Sequence, residues 1–247
     1  MPSVFLSPST QSYNEYIIPG TEKEHMQRLV DAMEPFLDLA GISYGRNNPD
    51  GDVKTSVAMS DEDDYDLHLA LHSNAAPPGQ SGEFQGPLVM YYPGNAAGEK
   101  AAEDIAQSLA DIYPEAGKVI LMPQTNLYEL REAKAPVVFA EVAYHDNLED
   151  AEWIENATVA IADHLTQGLA EYFGLPYAKQ GAPQQAVVRL REGHLNVRRL
   201  PGIEYPRIGK FENGEAVTVL RRIPGWSYVR LSDGDAGYVA SQYLRTV

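Results

Sequence analysis

Two histidines stand four residues apart in the stretch DLHLALHSNA, residues Asp66–Ala75. Successive side chains of a strand point to opposite faces, so positions i and i+4 point the same way. His68 and His72 are therefore expected on one face of a half-buried strand. A histidine in an apolar run is most often a structural residue. A strand that ends at His-Ser-Asn, however, also places His72 where the ligands of parallel sheets bind.

A carboxylate interrupts a second apolar strand, APVVFAEVAYHDN, at Glu141. A buried carboxylate is costly unless it is ion-paired, hydrogen-bonded or bound to a metal. A buried salt bridge and a chemical role are equally compatible with the strand alone. A strand-end His, a strand-embedded Glu and a Glu that opens a helix form a donor set that suits zinc with an open coordination position.

The elements that must position these groups alternate between strands and helices. SVFLSP predicts a first strand, and the apolar spacing from Glu22 predicts a helix that stops at Gly41 and bends at Pro35. Further strands are expected in YDLHLALH, GPLVMYY, KVILM and APVVFAEVAYHDN, and further helices in GEKAAEDIAQSLADIY, around Tyr128–Ala133 and in EDAEWIENATVAIADHLTQGLAEYFG. Residues 1–178 are therefore expected to form a layered α/β domain, with a largely parallel central sheet flanked by helices.

Charge divides the chain of 247 residues into two parts. Residues 1–178 carry 8 Lys+Arg against 29 Asp+Glu, and residues 179–247 carry 11 against 6. This step falls in PYAKQGAPQQ, Pro176–Gln185, which lacks hydrophobic periodicity and is interpreted as a linker. The acidic large part argues against nucleic acid as a partner, because phosphate binding needs clustered Lys and Arg.

Composition limits the remaining classes. Apolar residues make up 44% of the chain, which is ordinary for a globular protein. The absence of cysteine excludes disulfides and thiolate metal sites. No apolar run reaches the length of about 18 residues that predicts a membrane span. The first residues lack a basic segment followed by an apolar one, so no secretory signal is expected in the chain as written.

Three motifs together resemble the zinc-dependent N-acetylmuramoyl-L-alanine amidases of bacterial cell-wall hydrolysis: DLHLALHSNA, APVVFAEVAYHDN and the Glu that opens the first helix. The resemblance covers roughly residues 3–174 and implies hydrolysis of the amide bond between N-acetylmuramic acid and L-alanine. It implies a zinc ion bound by His72 and by Glu22 or Glu24, of which Glu22 has the better spacing to Gly41. It also assigns the catalytic carboxylate to Glu141.

One zinc ligand of that family has no counterpart. The usual Asp-Pro-Gly-His-Gly loop reads LSPSTQS here, which places Thr10 at the histidine position. His145 is the leading substitute, because it is i+4 from Glu141 where the strand opens into a loop; His25 and His68 are further candidates. If His145 does not bind the metal, His68, Gln11 or an additional water molecule remains as the alternative. A structural role remains the commoner reading for each. A wall-binding protein with a degenerate amidase-like domain is therefore the alternative function.

Residues 184–247 contain short β-like runs with turns every eight to twelve residues, which predict a small antiparallel barrel. They also closely resemble the bacterial SH3-like domains, through the motifs Asn-Val-Arg, Gly-Trp-x-x-Val and Gly-Tyr-Val-x-x-x-Tyr-Leu. That resemblance implies binding to peptidoglycan, and the net positive charge suits anionic wall polymers. Action on the bacterial cell wall is expected, whether as a phage endolysin, an autolysin or a mother-cell enzyme.

Overall fold

The computed structural model describes residues 1–177, 183–231 and 236–247. The chain separates into two compact units, residues 1–177 and 178–247. Much of the predicted linker lies outside the described residues, so the predicted domain boundaries stay a prediction. None of the helices in the described ranges is long and apolar enough to cross a membrane.

The first unit is an α/β domain built on one six-stranded sheet. Its strand order is β2-β1-β3-β6-β4-β5, and every neighbouring pair is parallel except β4 with β6. The predicted fold class, with a largely parallel sheet flanked by helices, is confirmed. The elements are β1 Ser3–Pro8, α1 Glu22–Ala40, β2 Ser43–Arg46, α2 Val53–Ser60, β3 Leu67–Asn74, β4 Leu88–Tyr91, α3 Ala96–Ala110, β5 Ile120–Pro123, α4 Tyr128–Glu132, β6 Val137–Tyr144 and α5 Leu148–Tyr172.

Helix α1 begins and ends where the sequence predicts. Thr21 and Glu24 form a capping box, in which each side chain accepts a hydrogen bond from the other residue's backbone N–H. The helix stops at Gly41, whose φ of 71° lies in the left-handed region that favours glycine. Pro35 lies inside the helix, as the sequence requires. These signals determine the residues at which α1 begins and ends, so Glu22 is the first residue of the helix.

The register between β3 and β6 determines which side chains share a face. His72 is paired with Glu141, but the next pair is Asn74 with Tyr144, so β6 carries one extra residue at this point. Such a β-bulge changes the face on which the following side chains lie. Tyr144 consequently shares the face of His72, and His145 falls on the opposite face. The strand periodicity that placed His145 beside Glu141 does not hold across the bulge.

The helices cover both faces of this sheet. Helix α5 packs against both α1 and α3, all three helices contact the sheet, and α2 packs against α4. Leu130 of α4 belongs to an apolar cluster with Ala70 and Phe139, two residues that point to the face of His72. Helix α4 therefore lies over the two histidines of β3. The sequence analysis did not identify β2 or α2, which have only 4 and 8 residues and are too short to show a clear apolar period.

The second unit is all-β, as predicted. Its seven strands have the order β13-β7-β10-β11-β12-β8-β9, and all their described pairings are antiparallel. Alternating apolar residues such as Val217, Val219, Val229 and Val239 form its core. The strands are β7 Gln184–Val188, β8 His194–Arg198, β9 Arg207–Glu212, β10 Ala216–Ile223, β11 Trp226–Arg230, β12 Ala236–Ala240 and β13 Leu244–Thr246.

Candidate active site

Glu22 and His72 lie together at the carboxyl ends of the sheet strands. The carboxyl ends of the neighbouring parallel strands β1, β3 and β6 lie together there, as does the N-terminus of α1. His72 Nδ1 donates a hydrogen bond to Glu22 Oε1 at 2.8 Å. Glu24, the competing candidate, is instead engaged in the capping box of α1. The structure therefore brings Glu22, rather than Glu24, to the histidine at the strand end.

Glu22 is buried, with 1% of its surface exposed, and is held from several sides. Asn14 Nδ2 donates to Oε2 at 2.6 Å, and the backbone N–H of Ser73 donates to Oε1 at 3.4 Å. Burial opposes ionisation, but the hydrogen bonds and positive charge of His72, together with Asn14, outweigh it and lower the pKa of Glu22. Glu22 is consequently ionised when it faces the imidazole.

Glu141 lies beside this pair as the register partner of His72. Its Oε2 atom is buried and has no hydrogen-bond partner among the described residues. Burial is the main reason that the pKa of Glu141 rises to about 7; the charge of His72 opposes the rise and that of Glu22 adds to it. A carboxylate with a pKa near neutrality and an oxygen without a partner is suited to exchanging a proton with a bound molecule.

Glu129 of α4 is a third buried carboxylate at the site, and the sequence analysis missed it. Ser7 Oγ donates to Glu129 Oε1 at 2.5 Å, and His68 Nε2 donates to the same oxygen at 3.1 Å. Oε2 faces His72 Nε2 at 3.7 Å. Despite its burial, these histidines lower the pKa of Glu129 to about 2. His68 is thus a partner of Glu129, with its Nδ1 2.9 Å from the Ser60 hydroxyl.

Carboxylates on both sides of His72 favour its positive charge. Burial alone would lower the pKa of the imidazole, but the bonds to Glu129 and Glu22 and the charge of Glu141 raise it to about 10. The ring also stacks on Phe139, with centroids 4.4 Å apart. The site therefore stabilises a cation at His72.

His145 and His25 lie in a neighbouring cluster. His145 Nδ1 donates to the backbone carbonyl of Ser73 at 2.9 Å, and its ring packs edge-on against Tyr16 at 5.3 Å. Tyr16 also contacts the ring of His25, whose Nε2 donates to the Pro19 carbonyl at 3.2 Å. The described contacts bring neither histidine to Glu22 or His72. The roles of Glu22, His72 and His145 as zinc ligands stay predictions.

The loop between β1 and α1 closes the site with amide groups. Gln11 Nε2 lies 3.4 Å from His72 Nδ1, while Gln11 Oε1 accepts hydrogen bonds from the Tyr13 hydroxyl and from Asn14 Nδ2. Thr10, Gln11 and His72 line a cleft of about 530 Å³. Within the described ranges, no three His, Asp or Glu side chains form a group able to hold a metal ion. The groups described next to His72 Nδ1 are the Glu22 carboxylate and the Gln11 carboxamide.

Both units match known protein families. Residues 17–171 match the family model for N-acetylmuramoyl-L-alanine amidase, and residues 193–245 match that for the bacterial SH3 domain. No curated protein is a significant match to the chain. The first match covers more than half of the sequence, so the chain belongs to the N-acetylmuramoyl-L-alanine amidase family and carries a bacterial SH3 domain after it. The predicted family and domain order are confirmed.

Solved structures share the fold of the first unit at low sequence identity. The catalytic domain of CwlV, an N-acetylmuramoyl-L-alanine amidase from Bacillus (Paenibacillus) polymyxa var. colistinus, is 18% identical, with a TM-score of 0.62 over 71% of this chain and 100% of that one. The N-acetylmuramoyl-L-alanine amidase AmiC2 of Nostoc punctiforme is 16% identical, with a TM-score of 0.59 over 70% and 97%. Ami1 of Mycobacterium smegmatis is 17% identical, with a TM-score of 0.58 over 70% and 97%.

Proposed function

We propose that this member of the N-acetylmuramoyl-L-alanine amidase family hydrolyses the amide bond between N-acetylmuramic acid and L-alanine with Glu141 as its proton-transfer residue. The observation that carries the proposal is the buried Glu141 Oε2, which lacks a described hydrogen-bond partner beside the Glu22–His72 pair. A carboxylate in an apolar strand that served only as a structural ion pair would need a cationic partner at that oxygen. The family match favours this reading over a degenerate, non-catalytic domain.

The residues present fit a zinc ion at Glu22 and His72. The hydrogen bonds to Glu129 and Glu22 and the charge of Glu141 favour a positive charge at a single imidazole, that of His72. Asn14 binds only Oε2 of Glu22, so Oε1 and His72 Nδ1 are the atoms that face each other. Zinc, when bound, would polarise the scissile carbonyl and lower the pKa of a water molecule towards about 7. Its binding would release the proton that His72 Nδ1 carries, as ligation by imidazole requires.

Glu141 would accept the proton of the attacking water at Oε2. Oε2 has no described hydrogen-bond partner, so it is available to accept this proton and to return it later in the reaction. The acceptor of the returned proton is the L-alanine nitrogen, which leaves as an amine when the C–N bond breaks. Glu129 would meanwhile hold the other side of the His72 ring, in the manner of carboxylates that orient metal-binding histidines.

The second unit supports attachment to the same substrate. Its aromatic and basic side chains line a groove of about 800 Å³ on the barrel surface; they include Arg189, Arg191, Arg198, Trp226, Tyr243 and Arg245. Guanidinium groups bind carboxylates and phosphates in bidentate fashion, and indole rings stack on planar or apolar groups. We therefore propose that this groove holds anionic components of the wall while the first unit cleaves it.

The reaction itself provides the test. Purified peptidoglycan is digested with the wild-type protein, and the products are analysed for new L-alanine amino termini and for new reducing ends. Amino termini alone are expected, because the muramic acid–alanine amide is cleaved and the glycan is not. Chelation should remove the activity and added zinc should restore it. New reducing ends, or no products after zinc has been restored, would contradict the proposal.

A further inference from the structure

The loop between β1 and α1 contains a side chain, that of Gln11, to which the family match assigns no role. The match to the amidase family begins at residue 17, after this loop. Sequence comparison with the Asp-Pro-Gly-His-Gly pattern places Thr10 where that family has a histidine. In the structure, however, the loop side chain within 3.4 Å of His72 Nδ1 is that of Gln11.

We propose that Gln11 supplies the third protein donor to a zinc ion at Glu22 and His72, through its amide oxygen. The inference rests on the proposed zinc site at those two residues. Catalytic zinc sites hold three protein ligands and one water molecule, and Glu22 with His72 accounts for two. A neutral amide oxygen is a harder and weaker donor than an imidazole, so the site would bind zinc less tightly than one with a histidine at this place.

The separation between the donor atoms agrees with this role. Two atoms bound tetrahedrally to zinc at 2.0–2.2 Å lie about 3.3–3.6 Å apart. Gln11 Nε2, whose place the amide oxygen would take, lies 3.4 Å from His72 Nδ1. Glu22 Oε1 lies closer to the same nitrogen, at 2.8 Å, because a proton joins them directly. Replacement of this proton by a metal ion needs the two atoms to move apart by about 0.5–0.8 Å.

The amide of Gln11 needs only to rotate about its last bond to present oxygen instead of nitrogen. Its Nε2 now faces His72, and Oε1 accepts from Tyr13 and Asn14. The terminal atoms of a carboxamide are nearly equal in size and exchange places through this rotation. After rotation, Nε2 can donate to the Tyr13 hydroxyl, which both donates and accepts. The hydrogen bond from Asn14 Nδ2 to Gln11 Oε1 becomes a contact between two N–H donors, a cost that the bond to zinc must outweigh, and Asn14 keeps its bond to Glu22 Oε2.

The other candidates for the third donor are engaged elsewhere. His145 Nδ1 donates a hydrogen bond to the backbone carbonyl of Ser73, and its ring packs against Tyr16. His68 is occupied by Ser60 on one nitrogen and by Glu129 on the other. Besides Glu22, the side chain described in contact with His72 Nδ1 is that of Gln11, which comes from the loop between β1 and α1.

The experiment measures zinc affinity of the full-length protein by competition with a chromophoric chelator. Gln11→Ala and Gln11→Leu should lower the affinity at least tenfold, and Gln11→His should raise it at least tenfold. Thr10→His serves as a matched control on the neighbouring residue and should leave the affinity within about twofold, because position 11 carries the donor. Circular dichroism and thermal melting establish that each variant is folded. The X-ray absorption spectrum of zinc-loaded Gln11→His should show the outer-ring scattering of one more imidazole than the wild-type spectrum.

Two outcomes would overturn the inference: unchanged zinc affinity in both Gln11→Ala and Gln11→Leu, or a gain in Thr10→His with none in Gln11→His. Two further variants, Glu22→Gln and His72→Ala, test whether zinc binds at this site at all, independently of Gln11. If these two lose zinc and the Gln11 variants do not, the zinc site stands and only the third donor is wrong. If Glu22→Gln and His72→Ala also keep full affinity, the zinc site itself is wrong.

Discussion

Replacement of Glu141 by glutamine tests the central assignment, because the change keeps the size of the side chain and removes its charge and its basic oxygen. Activity on peptidoglycan should fall by about 10²–10⁴-fold, the usual contribution of a general base. Zinc affinity should stay near that of the wild type, since Glu141 is not a proposed ligand. The combination separates proton transfer from metal binding.

The same variant should change how stability depends on pH. In the metal-free protein the pKa of Glu141 is raised from 4.5 to about 7, so the folded state holds this proton more tightly than the unfolded state. Below pH 4.5 the group is neutral in both states and costs nothing. Between pH 4.5 and 7 the unfolded state ionises first, and folding loses stability as the pH rises. The loss reaches about 3 kcal/mol above pH 7, since one pKa unit corresponds to about 1.36 kcal/mol.

Glutamine does not ionise and lacks this loss. We expect the free energy of unfolding of Glu141→Gln, minus that of wild type, to be about 3 kcal/mol higher at pH 8 than at pH 4, which means that the variant is relatively more stable at pH 8. The comparison between the two pH values cancels the constant effects of the substitution, such as an altered hydrogen bond. Urea unfolding, followed by circular dichroism across this pH range, measures the difference. Chelator must be present throughout, because a bound cation would lower the pKa of the carboxylate.

Parallel pH profiles for the two proteins, together with retained specific activity in Glu141→Gln, would refute the assignment. That result would mean that the carboxylate is neither strained by burial nor used in proton transfer. Loss of activity with parallel profiles would refute only the raised pKa and leave the role in catalysis standing.

Three further predictions concern the surroundings of the site and the second unit. Glu129→Gln should weaken zinc binding about 10–100-fold, measured by chelator competition, because the carboxylate no longer holds the His72 ring; equal affinity would show that Glu129 has no orienting role. Thr21→Ala should lower the free energy of unfolding by about 1 kcal/mol, measured with urea, because the cap of α1 is lost; an unchanged midpoint would contradict the importance of this cap. Residues 184–247 expressed alone should fold as a β protein and sediment with insoluble cell walls, and a disordered or unbound fragment would count against an autonomous wall-binding unit.

Much of the fold follows from local signals in the sequence. Thr21, Glu24 and Gly41 are chemical start and stop signals for α1, and they determine its ends whatever packs against it. The apolar runs of β3 and β6 are long enough to identify buried strands without knowledge of their neighbours. Strand β2 gives no such signal, because its four residues Ser43–Arg46 pair with β1 only through tertiary context.

The contact between Gln11 and His72 could not be derived from residue spacing, because it depends on features that spacing does not encode. The period of two in a strand places His145 on the face of Glu141 only if the strand is regular, and one extra residue in β6 reverses that relation. In the loop between β1 and α1, alignment of the sequence with the family pattern selects Thr10 by its position in the chain. The direction of each side chain in a loop, however, depends on the hydrogen bonds of that loop. Asn14 binds both Gln11 and Glu22, so the path of the loop is tied to the first turn of α1. This tie brings position 11, rather than position 10, to His72.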